Sequence, residues 1–186
     1  MKKNFGKQST LYPMPVLIVS AYDENGVPCA MNAAWGGMHD ENEVGICISA
    51  GHKTTKNIRQ SGAFCVSIAD EKHVVEADYL GVESGNKVPN KLEVAGLHTT
   101  KSEFVNAPVI DEFPMVLECK LLSYDENSGY MVGEIVNVAA DEEVLTDGKI
   151  DPSKLKPITF DPVNNKYIGL GTVVGNAFSD GKRLKK

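Results

Sequence analysis

Val44-Gly45-Ile46-Cys47-Ile48-Ser49-Ala50-Gly51-His52-Lys53-Thr54-Thr55-Lys56-Asn57-Ile58 reads as a strand that turns into a helix. Val44, Ile46 and Ile48 fall on one face of an extended segment and Gly45, Cys47 and Ser49 on the other, the period-two alternation of a strand whose faces are both largely buried. Past Gly51 the polar run ends at Ile58, and Lys53–Ser61 is expected to be a short helix closed by Gly62 at its C-terminal cap. Thr54 or Thr55 is the expected N-cap. Two lysines, two hydroxyls and the free N–H groups of a helix start are also what a phosphate monoester needs. An ordinary helix start with solvated lysines accounts for the same residues, so the rest of the chain has to decide.

Working outward, Val16–Ala21 is β-branched and runs into Tyr22-Asp23-Glu24-Asn25-Gly26, whose Asn-Gly signals a hairpin. The returning strand is expected from Val27 to about Trp35. Ala63–Ala69 is the next strand, and Met115–Tyr124 with Tyr130–Ala139 is the clearest hairpin, joined by Asp125–Gly129. Glu71–Leu80 has helical spacing and Gly81 is expected to stop it. Val82–Lys91 is expected to be an exposed loop and Leu97–Val105 a weak strand. His39-Asp40, after Gly36-Gly37, is read as a mobile polar loop. Asp141–Ile150 is read as a helical turn and an extended stretch, and Asp151-Pro152, Lys156-Pro157 and Asp161-Pro162 break any long element. Tyr167–Gly175 is too glycine-rich to be assigned as a strand. Its Gly169-Leu170-Gly171 lacks the third glycine, the following helix and the downstream acid of a dinucleotide fingerprint. Strands outnumber helices and turns recur at short spacing, which favours a mainly β fold, a barrel with appended helices, over a doubly wound α/β sheet.

With 186 residues, 42% hydrophobic and 24% charged, the chain is expected to form one soluble domain over residues 1–186. A net charge of −6 argues against a nonspecific nucleic-acid surface. The basic start Met1–Gln8 is followed by Pro13 and Pro15 and not by an apolar leader. No run approaches the roughly 20 apolar residues of a membrane helix, so a cytoplasmic location is expected. The four cysteines, Cys29, Cys47, Cys65 and Cys119, have no CxxC spacing and are read as small buried hydrophobes, without metal. His52 adjoins the polar turn as donor or plain loop residue, and His73 and His98 carry no signal. No Ser/His/Asp arrangement emerges from spacing, and no catalytic side chain is assigned.

Five pieces stand in a telling order: Pro13-Met-Pro15-Val-Leu-Ile-Val19; Asn32-Ala-Ala-Trp35; Ser49 through Ile58; Ser84-Gly85 with Asn90-Lys91-Leu92; and Tyr167-Ile-Gly-Leu-Gly171. In this order the chain resembles the flavin reductase-like family of FMN-binding split barrels, and within it the flavoredoxins, from about Pro13 to about Lys182. The resemblance implies a homodimeric split β-barrel holding FMN without a covalent bond near the subunit interface. It implies that Lys53, Thr54, Lys56 and Asn57 lie where the phosphate is held. Asn32, Ala33, Ala34 and Trp35 would border the flavin ring, with Ser49 and Ala50 on the neighbouring strand end. Lys91 matches the lysine of an Asp-Lys-Phe-like loop, although Asn90-Lys91-Leu92 lacks the aspartate and the aromatic.

The chemistry agrees. FMN needs cations and N–H donors at its phosphate and a narrow slot for its ring, and small alanines let the ring approach backbone donors. The Asn32–Trp35 run would otherwise be a strand end whose tryptophan caps the core. The expected activity is an FMN-dependent oxidoreductase, either an NAD(P)H:flavin reductase or a flavoredoxin-type carrier fed by NAD(P)H or a redox-protein partner. The rival is a non-enzymatic split-barrel module holding another phosphorylated ligand or haem.

Overall fold

Two eleven-residue strands, β9 (Met115–Asp125) and β10 (Tyr130–Ala140), pair antiparallel and form the spine of the structure. The structure is a computed structural model that describes residues 1–185. In chain order the other strands are β1 (Met14–Pro15), β2 (Leu17–Tyr22), β3 (Pro28–Ala33), β4 (Gly36–Asp40), β5 (Glu43–Cys47), β6 (Ala63–Ile68), β7 (Thr99–Lys101), β8 (Pro108–Ile110), β11 (Leu145–Thr146), β12 (Lys149–Ile150), β13 (Ile158–Asp161) and β14 (Lys166–Gly169). The helices are α1 (Lys53–Ser61), α2 (Val74–Val82), α3 (Lys91–Val94) and α4 (Pro152–Leu155).

Seven strands form one sheet in the order β3-β2-β6-β9-β10-β5-β4. Register shifts in the β9–β10 ladder at Val132/Gly133 and Ile135/Asn137 bend the pair, as bulges do, and curl the sheet. Gly133 leaves space at the bend for the Phe64 ring, which a Cβ there would meet at 2.3 Å. The result is the mainly β architecture expected from the sequence, a curled split-barrel sheet with helices appended.

Both faces of β2 are buried, which explains why its sequence is apolar without alternation. Leu17, Val19 and Ala21 join Ile46, Ile58, Phe64, Val66 and Met131 inside the curl. Val16 and Ile18 face the other way, against Ala77 and Leu80 of α2 and against Leu92, Ile110 and Phe113. Each of the larger apolar side chains among these contributes about 1.5–3 kcal/mol by leaving water, so the two cores hold α1 and α2 against the sheet.

Several local expectations are corrected. Gly36–Asp40 is not a loop but strand β4, paired with β5 through Gly36↔Ile46 and Met38↔Val44. Lys166–Gly169 is a strand despite its glycine, because it pairs with β13. The strand expected to reach Trp35 ends at Ala33. α2 runs through Gly81 to Val82. Leu97–Val105 contains only the three-residue β7. Cys29, Cys65 and Cys119 are buried free thiols as expected, whereas Cys47 is half-exposed. Burial pushes the Cys119 thiol up to about 12. Among the described residues no helix is long and apolar enough to cross a membrane.

Candidate functional site

β5 delivers the chain to the turn Ser49–Gly51, where the His52 N–H donates to the Ser49 carbonyl at 3.2 Å. The helix N-cap is His52, in extended conformation and with no side-chain cap, not Thr54 or Thr55. The first helical bond is Lys56 N–H to His52 O, at 3.2 Å. The amides of Lys53, Thr54 and Thr55 therefore precede the ladder and have no intrahelical acceptor, and no acidic residue occupies the first turn. Both threonines are buried because α1 packs on the sheet, and Thr54 Oγ1 lies 3.5 Å from Cys29 Sγ. Gly62, in the left-handed region at φ 70°, closes α1 as expected.

A second wall comes from the end of α2 and the loop after it. The Lys91 side chain is 2% exposed. Its ammonium donates to the carbonyls of Leu80 and Glu83, each at 2.9 Å, which ties the helix end to α3. Burial pulls this ammonium below the usual lysine range. The loop is clasped to the opposite wall by Asn86, whose Nδ2 donates to the Gly51 carbonyl at 3.1 Å. Gly85 is required where it stands, since a Cβ there would meet Cys29 Sγ at 2.6 Å.

Between the walls lies a cleft of about 430 Å³, a size suited to a small ligand. Eight of the eleven residues expected at the site line it: Asn32, Ala33, Ala34, Trp35, Ser49, Lys53, Thr54 and Lys91. Ala50, Lys56 and Asn57 do not. One turn further along α1, Lys56 stands in solvent and Asn57 is buried, its Nδ2 without a hydrogen-bond partner among the described residues. Sequence reasoning gave no site role to Met31, Cys47, Ile48 or the run from Leu80 to Glu83, all of which line the cleft, and quoted Ser84-Gly85 only as part of a motif. The glycine-containing loop before Asn90-Lys91-Leu92 was the run's only signal.

The charges at the mouth are partly spent. Lys53 Nζ lies 3.2 Å from Asp23 Oδ2. The Asp23 carboxyl is held below its usual range, first by the Val27 N–H and then by Lys53. The open amides of α1 are the main positive feature at this end of the cleft, with one paired lysine beside them. At the other end the indole of Trp35 is 57% exposed. Asn32 is fixed there, its Nδ2 donating to the Ala77 carbonyl at 3.0 Å and to the Tyr167 hydroxyl at 3.5 Å. The Tyr167 hydroxyl donates in turn to Asp78 at 2.8 Å. Burial, then the Asp78 hydrogen bond, pushes the Tyr167 phenol up to about 12. Across Trp35 a second groove opens, of about 510 Å³, sharing Ala34 and Trp35 with the cleft.

The family model described as "Flavin reductase like domain" matches residues 9–158. Among solved structures, the flavoredoxin of Desulfovibrio vulgaris (Miyazaki F) is 36% identical, with a TM-score of 0.94 over 98% of this chain and 100% of that one. The flavoredoxin from Methanosarcina acetivorans is 28% identical, with a TM-score of 0.90 over 99% of this chain and 100% of that one. An uncharacterized protein of Aeropyrum pernix is 31% identical over 121 residues, 64% of this chain and 46% of that relative. The chain thus spans less than half the length of that curated relative.

Proposed function

This chain belongs to the flavin reductase-like family, and from that premise we propose that it binds FMN in the cleft at the start of α1 and works as a flavin-dependent oxidoreductase. The observation that carries the reading is the juxtaposition in one cleft of an uncapped helix start and an exposed indole. A phosphate dianion fits the first, because the open amides of Lys53, Thr54 and Thr55 and the dipole of α1 favour negative charge. A flat ring fits the second, because Ala33 and Ala34 leave room beside Trp35 and the Asn32 carboxamide presents its oxygen to the cleft. Flavin, when bound, supplies the hydride and electron transfer.

The chain's own residues bind and orient. Lys91 holds the α2 end in place through two carbonyls and so keeps the wall of Leu80–Gly85 closed over the cleft. Asn32 recognises a ring N–H. Lys53 and the α1 amides hold the phosphate. No residue lining the cleft is needed to move a proton for electrons to enter or leave a bound flavin, so no catalytic side chain is assigned. The electron donor in this reading is NAD(P)H or a reduced redox protein. The likeness to two flavoredoxins over nearly the full chain favours a bound carrier flavin over one that diffuses away.

The test is the visible absorption spectrum of the purified protein, with FMN added if it is colourless, followed by anaerobic NADH and then NADPH. Flavin bands that bleach on addition are expected from a nicotinamide-fed enzyme. Bands that persist assign the donor to another protein. A folded chain that takes up no FMN would overturn the reading and leave the binding-module rival.

A further inference from the structure

The turn Tyr22-Asp23-Glu24-Asn25-Gly26 between β2 and β3 lies against the start of α1. Asp23 does more there than a turn requires. Its Oδ1 accepts the N–H groups of Asn25 and Val27, each at 2.9 Å, the usual service of an aspartate to its own turn. Its Oδ2 is left over, and it accepts from the Lys53 ammonium at 3.2 Å. Only 24% of the Lys53 side chain and 15% of the Asp23 side chain are exposed. The turn amide of Val27, and then Lys53, keep the carboxyl ionised. A fixed negative charge therefore stands beside the one lysine that α1 brings to the cleft.

Asp23 also lines a further hollow of about 460 Å³, together with Tyr22, Glu24, Gly26, Lys101 and Asn106. Lys53 lines the cleft and its partner Asp23 lines this hollow, so the two spaces adjoin at the ion pair. The hollow has the volume to take part of a small ligand. Its charge is unsuited to an anion. Two carboxylates, Asp23 and Glu24, stand against the single ammonium of Lys101. Glu24 is drawn towards α1, where the Gln60 side-chain amide donates to its Oε2 at 3.2 Å.

We propose that Asp23 is a specificity-determining residue at the phosphate end of the cleft: its carboxylate admits a flavin that ends in one phosphate monoester and turns away a dinucleotide flavin, whose second phosphate would come against it where cleft and hollow meet. The inference rests on the flavin reading above. A terminal phosphate stays with the open amides of α1 and with the N–H groups of Lys53 that Asp23 does not occupy, since an ammonium has three to give. The pyrophosphate of FAD must carry a second phosphate and an adenosine past that point. Volume does not forbid this. Charge does, because like charges brought together at a binding surface suppress the wrong ligand far more strongly than a lost contact does.

The experiment measures FMN, FAD and riboflavin binding to wild type, Asp23→Asn and Asp23→Glu by equilibrium dialysis. Asparagine keeps an oxygen for the turn amides and removes the charge. Asp23→Asn is expected to gain about tenfold or more in FAD affinity, to gain less for FMN, and to bind riboflavin as wild type does. Asp23→Glu restores the charge and should restore the preference for FMN over FAD. A merely structural role would instead weaken all three flavins together in Asp23→Asn. Should that variant fail to fold, Asp23→Ser, whose hydroxyl can serve the same turn amides, gives the same readout. An FMN-to-FAD preference that is absent in wild type, or unchanged in the uncharged variant, would overturn the proposal and leave FMN binding standing. A folded wild-type chain that takes up none of the three flavins would defeat the flavin reading and the proposal with it.

Discussion

The side-chain amide of Asn32 donates to the backbone carbonyl of Ala77 across 3.0 Å, joining the end of β3 to the middle of α2. A carbonyl only accepts, so this contact fixes which way the carboxamide faces. With Tyr167 taking the other N–H, the oxygen is the atom left for a ligand. Asn32→Ala is expected to cost about 0.5–1.5 kcal/mol in urea unfolding and to weaken FMN binding severalfold in a fluorescence titration. Binding unchanged in that variant would remove Asn32 from the site.

Lys53 and Lys56 are three residues apart in sequence but differ in position. Lys53 lines the cleft and Lys56 stands in solvent. A hydrogen bond to a charged group is worth about 1.5–3 kcal/mol, so Lys53→Ala should weaken FMN roughly tenfold or more, and Lys56→Ala should change it little. Riboflavin, which has no phosphate, separates phosphate contacts from ring contacts. Its affinity should be the same in wild type and Lys53→Ala, and an equal loss for both ligands would place Lys53 at the ring.

Gly85 and Cys29 meet where the loop after α2 presses on β3. A Cβ at position 85 would stand 2.6 Å from the buried thiol, an overpacking that costs about 1–3 kcal/mol. Gly85→Ala should therefore lower the thermal midpoint, and adding Cys29→Ala should restore part of the loss. Strictly additive effects in the double-mutant cycle would show that the two atoms do not compete for the same space.

Acid should loosen the contacts made by Asp161 and Asp151. The Tyr12 hydroxyl, then the Asn164 side chain and the Val163 N–H, hold the Asp161 carboxyl at about 2, against an ordinary 3.8. Ser153 and Thr146 hold Asp151 at about 2 as well. The unfolded chain therefore takes up these protons before the folded one does. The stabilisation is complete above the ordinary value and is lost as pH falls through 3.8 towards about 2. Thermal midpoints should drop across that window, with a shallower slope in Asp161→Asn. Identical slopes would mean that the Tyr12–Asp161 contact contributes nothing to folding.

What the sequence revealed and what it concealed divide by the range of the interactions involved. β2, β5, β6 and the β9–β10 hairpin follow from apolar pattern and turn residues, and α1 from its polar start and Gly62. β4 has two glycines and no alternation, and it becomes a strand only by pairing with β5. Gly81 was expected to end α2, yet it sits inside the helix because Asn32 packs against it, where a Cβ would come within 3.2 Å of the Asn32 Cβ. The site shows the same division. Asn32–Trp35 and Lys53–Thr54 lie on short contiguous runs and were legible. The wall of Leu80–Gly85 is held by Lys91 from outside the run, a contact no local pattern announces.

The Tyr167 hydroxyl reaches Asn32 from 135 residues further along the chain, whereas the amides at the start of α1 lie in its first third. The two ends of the cleft therefore mature at different times. As the chain leaves the ribosome, at roughly 5–20 residues per second, the segment that carries the α1 amides emerges several seconds before the last strand arrives to orient the carboxamide. Completion of the cleft thus becomes a late event in biosynthesis, and a chain released short of β14 would lack the contact that orients Asn32.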